Sequence, residues 1–314
     1  MIVPNDRIII TGAAGLVGQN LILMMRERGF TNLVAIDKKK KNIEILRKLN
    51  PGLEIVEADL SIPGDWAKAF QGASALIQLH AQIGGEQYNE FKANNITATR
   101  HVLDACRTHN VMHIVHISSS VINSMAVDYY TETKQEQEKL VVISGIPFTV
   151  LRPTLMFGWF DRKHLGWLSR FMQKSPLFPV PGNGRYLRQP LYVRDFCAVI
   201  ISCLNQPANN QIYNITGLEN VDYIDIIYAI RRVLGAQAYI LHIPYTLFWL
   251  LLRIYALVNR DPPFTTRQLE ALVLPDKFEV IPWNTIFQVQ STPFLKAISE
   301  TYSNPTYASI VLEF

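Results

Sequence analysis

The chain has 314 residues, 49% of them hydrophobic and 18% charged, with a formal net charge of +4. That length allows two domains or one large α/β unit with an added lobe, and the composition excludes a disordered chain. Cys106, Cys197 and Cys203 are odd in number and form no CxxC pair, which excludes a disulfide framework and a zinc module, so no metal site is expected.

In chain order, short apolar runs alternate with helical patterns. Strands are predicted at Arg7–Thr11, Asn32–Asp37, Leu53–Glu57, Ala75–Leu79, Val111–Ile117 and Phe148–Leu151. Uninterrupted apolar character, as in Ile8-Ile9-Ile10, fits strands covered on both faces. Helices are predicted at Leu16–Arg28, Asn42–Leu49, Glu86–His109 and Tyr130–Ile143. Repeated βαβ order implies a parallel sheet with right-handed crossovers. The fold class is therefore α/β, a Rossmann-type doubly wound parallel sheet with a smaller, mostly helical C-terminal substrate lobe. Residues 1–153 are assigned to the dinucleotide-binding domain, with 190–215 returning to it; 154–189 and 216–314 form the lobe. Within the later part, helices are predicted at Val193–Leu204 and Tyr223–Leu234.

A charged share of 18% is low against the usual figure of about 25%. The apolar excess concentrates in Tyr239–Val258, interrupted by His242, Pro244 and Arg253. Pro244 starts a helix too short to span a bilayer, so no integral membrane span is expected. The segment reads as a buried or groove-lining helix, with membrane-surface or partner contact as the alternative. Residues Met1–Asp6 lack the basic and apolar parts of a signal peptide, so a cytoplasmic location is expected. The charge is too small to argue for nucleic acid but suits an anionic small substrate.

The segment Thr11-Gly12-Ala13-Ala14-Gly15-Leu16-Val17-Gly18 follows the first strand and opens a helix. Gly12 permits a tight turn, Gly15 lets backbone approach a pyrophosphate, and Gly18 lets the helix pack on the sheet. Ala14, Leu16 and Val17 belong to the same turn. Asp37 ends the second strand, where a carboxylate accepts from ribose hydroxyls and repels a 2′-phosphate. NAD is thus favoured over NADP, although the adjacent Lys38 offers a phosphate partner. Asp59 and Leu60 follow the third strand within reach of an adenine, with a helix cap as the other reading of Asp59. Leu79, His80 and Ala81 end the fourth strand beside the expected cofactor. His80 reads as a neutral, hydrogen-bonded histidine.

Tyr130 and Lys134 stand four residues apart on one helical face. An ammonium beside a phenol lowers a pKa that is otherwise about 10. Ser118-Ser119-Ser120 ends the fifth strand at the carboxyl edge, where open α/β sheets bind ligands. Together these residues suit proton transfer at a hydroxyl coupled to hydride transfer.

Through TGAAGLVG, Asp37, HISSS, YTETK, LRPTLMFG and RQPLYVRD the sequence resembles the extended short-chain dehydrogenase/reductase family, the NAD-dependent epimerase/dehydratase group. The resemblance covers about Arg7 to Leu204. It implies that Ser119, Tyr130 and Lys134 are catalytic and that Asn95 shapes the active-site helix. It further implies that Pro153, Met156 and Phe157 pack the nicotinamide, and that Arg188 grips the diphosphate of a nucleotide-sugar, with a surface ion pair as the other reading of Arg188. A homodimer is implied through helices Glu86–His109 and Tyr130–Ile143, with Ala98, Val102, Ala105, Leu140 and Val141 reading either as outward apolar stripes or as ordinary core. Ser120 and Val121 stand where dehydratases carry an Asp-Glu pair, and valine cannot transfer a proton. What survives is NAD-dependent epimerisation or ketoreduction at a sugar carbinol carbon, C4 of a nucleotide-linked sugar. Leu155, where many UDP-sugar epimerases have a phosphate-binding asparagine, keeps open a dehydrogenase of an apolar, sterol-like or lipid-linked alcohol. A non-catalytic NAD-binding sensor or assembly subunit is the third alternative, against which the intact Ser/Tyr/Lys set argues.

Overall fold

A computed structural model describes residues 2–123, 128–258, 265–273 and 279–313. The glycine-rich turn connects β1 (Arg7–Thr11) to α1 (Leu16–Glu27), followed by β2 (Leu33–Asp37), α2 (Lys40–Leu49), β3 (Glu54–Glu57) and β4 (Ala73–Gln78). A helical run then passes from α3 (Tyr88–Phe91) through a π turn, Lys92–Thr97, into α4 (Ala98–Thr108). Next come β5 (His113–Ile117), α5 (Tyr129–Val142) and β6 (Phe148–Pro153).

The remaining chain builds β7 (Met156–Phe157), α6 (His164–Lys174), β8 (Leu177–Pro181), β9 (Leu187–Arg188), β10 (Leu191–Tyr192), α7 (Val193–Asn205) and β11 (Gln211–Ile215). Then follow β12 (Val221–Asp222), α8 (Tyr223–Leu234), β13 (Tyr239–Ile243), α9 (Tyr245–Val258), α10 (Thr266–Val273), α11 (Trp283–Ile286) and α12 (Phe294–Ser303).

Seven strands form one parallel sheet in the order β11-β6-β5-β4-β1-β2-β3. The order reverses between β1 and β4, and this topological switch point opens a crevice at the strands' carboxyl ends. One face is covered by α1, α7 and the Trp283–Phe287 turn, the other by Trp66, Phe70, α4 and Val141 of α5. Ile8, Ile9 and Ile10 are fully buried between the two layers, which is why the run carries no polar alternation. The three cysteines are buried core residues.

Ala98, Val102, Ala105 and Val141 lie inside the second core layer, with Leu140 packed against it. The stripe named for dimer contact therefore points into the molecule. Beyond β6, a second core joins Phe178 and Val180 of β8 to α8 and α12.

The expectation for Tyr239–Val258 fails in part. Pro244 does precede a helix, but α9 is neither core nor wall of the main crevice: among its described side chains only Phe248 is buried. Hydrophobic periodicity identifies an apolar face without saying what covers it.

Candidate active site

A cleft of about 640 Å³ runs along the carboxyl edge of the sheet, within the size range of cofactor and substrate pockets. Its floor is the glycine turn. Gly12 has φ +68, and a Cβ there would stand 2.6 Å from the His80 backbone nitrogen; at Gly18 one would stand 2.3 Å from Ala13 O. The first turn of α1 carries no side-chain cap and no acidic residue, leaving its N–H groups and dipole directed at the cleft, the arrangement that receives a pyrophosphate. Gly15, Leu16, Val17, Leu60, Leu79, Ala81, Pro153 and Met156 all line the same space.

Asp37 and Lys38 separate cleanly. The Asp37 carboxylate accepts the backbone N–H groups of Ala14 (2.9 Å), Lys38 (2.7 Å) and Lys39 (3.0 Å). Lys38 Nζ is drawn away, donating to Asp59 Oδ2 at 2.9 Å and Asn94 Oδ1 at 2.6 Å. Burial pushes the Asp59 carboxyl up, but bonds from Ser61 and Lys38 outweigh it and hold its pKa below the ordinary value. With Lys38 so engaged and a carboxylate at the ribose position, the pocket suits NAD, not NADP.

The catalytic candidates converge on the opposite wall. Ser119, Tyr130 and Lys134 all line the cleft. Lys134 is fully buried; its Nζ donates to Ile117 O (2.9 Å) and Gln137 Oε1 (2.6 Å). Burial drives its pKa down to about 7, against the opposing pull of Glu138. The Tyr130 phenol is raised by burial, only partly offset by Ser119. A lowered phenol pKa, expected from the Tyr/Lys spacing, is thus not found in this state, because desolvation prevails while the ammonium serves two carbonyls.

Asn95 ties its own helical run to two neighbouring elements. Its Oδ1 accepts from Gln82 N (2.6 Å), and its Nδ2 donates to Thr133 Oγ1 (2.9 Å), so the π turn is tied to both the β4 loop and α5. His80 is held by Thr11 Oγ1 (2.8 Å) and Thr99 Oγ1 (3.2 Å), and burial with the nearby Lys134 and Lys38 charges lowers its pKa to about 3. It stays neutral and supports the floor.

Two expected contacts, Phe157 with the nicotinamide or substrate and Arg188 with the diphosphate, are placed elsewhere. Phe157 is buried between Tyr192 and Phe294, and Arg188 donates to the carbonyls of Leu187 (3.0 Å) and Leu272. Neither lines the cleft: one is held by aromatic packing, the other by backbone acceptors across the β9–α10 contact. In their stead the outer wall carries Arg162, Lys163 and His164. Burial lowers Arg162 to about 10, and burial with the Arg162 charge lowers Lys163 to about 8.

Three contributors had no sequence prediction. Gln137, one turn beyond Lys134, also donates to Thr99 Oγ1 and His80 O; the i,i+3 spacing was the available signal. Leu312 and Glu313 line the cleft because Glu313 exchanges backbone bonds with the Asn42 side chain (3.1 and 2.8 Å).

Fold and cleft together define a dinucleotide-dependent enzyme of the Rossmann type. Residues 8–216 match the model of the NAD dependent epimerase/dehydratase family. An uncharacterized UDP-glucose epimerase, YtcB of Bacillus subtilis (strain 168), is 26% identical over 266 residues, 74% of this chain and 83% of that one. A ceramide reductase of Caulobacter vibrioides (strain NA1000 / CB15N) is 22% identical over 242 residues, 76% of this chain and 73% of the relative. The crystal structure of UDP-glucuronic acid 4-epimerase from Bacillus cereus in complex with NAD has the same fold, with TM-score 0.74, 21% identity and 95% of each chain covered. The chain belongs to the NAD dependent epimerase/dehydratase family, extended short-chain dehydrogenase/reductase enzymes that use NAD.

Proposed function

We propose that the chain is an epimerase or ketoreductase that transfers hydride reversibly at a sugar carbinol carbon, C4 of a nucleotide-linked sugar. The observation that carries this reading is that Ser119 and Tyr130 line the same cleft as Arg162, Lys163 and His164. A hydroxyl can be seated at the first pair while cations face a diphosphate. In this reading the sheet domain holds NAD on Gly12–Gly18, Asp37, Asp59, Leu60, Leu79–Ala81, Pro153 and Met156, and the lobe contributes the sugar side.

Oxidised NAD, when bound, supplies the hydride acceptor and a positively charged ring. Tyr130 as phenolate takes the hydroxyl proton, and Ser119 donates to the substrate oxygen as its negative charge develops. Lys134, when charged, favours the phenolate. Asn95 acts through Thr133 and Gln82, fixing the helix that carries Tyr130. Hydride returned to the opposite face gives the epimer; the same residues serve a ketoreductase when a keto sugar enters with reduced NAD, Tyr130 then giving its proton to the substrate oxygen. The UDP-sugar epimerase relatives support the substrate class, and homodimerisation enters the reading through the family resemblance alone.

The test is incubation with UDP- and GDP-hexoses followed by anion-exchange chromatography. Epimerised sugar that disappears with Tyr130→Phe supports the reading; no turnover of any nucleotide-sugar overturns it. One observation favours a second reading. Leu155 lines the cleft and is 38% exposed, an apolar side chain where a sugar phosphate would want a donor. With a ceramide reductase among the relatives, NADH formation from long-chain alcohols would select that reading.

A further inference from the structure

The small lobe presents apolar side chains to the outside. On α9, Leu247, Leu250, Leu251, Ile254, Tyr255 and Leu257 are 46 to 87% exposed. Their spacing falls largely on one helical face, while Phe248 is buried and α10 packs against the helix. Immediately before α9, the β8–β13 ribbon adds exposed Leu177, Tyr239 and Leu241.

Charge decides what fits this surface. No Asp or Glu occurs from Arg162 to Arg194, a stretch with seven Lys or Arg residues, and none from Ile226 to Arg260, which holds four Arg. Of these cations, exposed Lys174 ends α6 just before β8, exposed Arg232 lies in the last turn of α8, and exposed Arg253 stands on α9, 5.1 Å from the Trp249 ring, whose indole also donates to Glu270 of α10 at 3.4 Å. A second copy seated here would set cations against cations, whereas anionic headgroups complement them. The 14 described residues of α9 reach about 21 Å, short of a hydrocarbon core of about 30 Å. No helix of the described residues is long and apolar enough to cross a membrane. Aromatic residues and a long cationic side chain on an apolar helix suit the headgroup boundary.

We propose that β8, β13 and α9 form a docking face that lies in the headgroup and upper acyl layer of an anionic bilayer. The probe is flotation of the full chain with phosphatidylcholine vesicles, with and without phosphatidylglycerol. The chain floats with the mixed vesicles, and its partitioning falls roughly tenfold or more on pure phosphatidylcholine or with Lys174→Glu/Arg232→Glu. Leu250→Glu/Leu251→Glu abolishes flotation while NAD binding, the check on folding, is retained. The proposal is overturned if wild type floats with neither vesicle, or if both double variants float like wild type. It is equally overturned if lipid-free sedimentation shows a dimer that the leucine substitutions dissociate, which would give the face to a second copy.

Discussion

The sheet half and the small lobe use apolar residues in opposite ways. Around β1, β4 and β5, Ile8, Ile9, Ile10, Leu76 and Ile114 are fully enclosed, and the polar groups gather at one edge, where strand ends and helix N-termini meet. In the lobe, the core of Phe178, Val180 and α8 is accompanied by leucines on α9 that stay outside. The same residue type therefore carries stability in one region and an available surface in the other. Sequence hydrophobicity by itself does not distinguish those uses; the covering layer does.

Tyr130→Phe probes this contrast most strongly. It should cut turnover by about three powers of ten while leaving NAD binding intact, as steady-state rates and fluorescence titration would show. Equal activity would remove chemistry from the sheet edge. Acid comes next. His80 and His113 are lowered to about 3 and about 4, in both cases chiefly by burial. As pH falls below 6.5 the unfolded chain takes up protons that the folded one refuses, so stability is lost from that point downward. By pH 5 the loss should be about 2 kcal/mol for each histidine, measured as a falling urea midpoint. A flat profile between pH 7 and 5 would contradict the buried, neutral assignment.

Truncations compare the two regions directly. Leu76→Ala in the sheet should cost about 3 kcal/mol through the cavity it leaves. Leu251→Ala on α9 should change stability by no more than about 0.5 kcal/mol. Chemical denaturation of both variants without lipid checks the pair; equal costs would show that α9 is covered after all. Lys134 sharpens the comparison from the other side. Its pKa of about 7 records an ammonium held in the core at a cost. Lys134→Met should therefore abolish turnover yet stabilise the fold, by something on the order of 2 kcal/mol at pH 7. A lower melting temperature would mean that the bonds to Ile117 and Gln137 outweigh desolvation.

Legibility followed the reach of the interactions. β1 and α8 match their expected limits, because a run of isoleucines and a helix ending on Gly235 at φ +61 are local signals. The glycine turn, Asp37 and the Ser/Tyr/Lys set were legible because βαβ order alone brings them to one edge. Arg188 and Phe157 were not, since their directions depend on Leu272 and Phe294, far along the chain. The β8–β13 ribbon escaped notice because Pro179 and Pro181 lie inside β8, where proline argues against a central strand. The outward face of α9 is a matter of what does not pack there, which periodicity cannot express.

The Asn42–Glu313 contact has a consequence for how the molecule is made. It joins residues separated by 271 positions, so its loop can close only once Glu313 has emerged. Contacts of such separation are the slowest to be repaid during folding. The Rossmann sheet can assemble while synthesis continues, but the wall that Leu312 and Glu313 give to its cleft must wait until those residues have been made. A nascent chain would thus hold a finished floor and an unfinished side, and full grip on a dinucleotide would be a late event in its biogenesis.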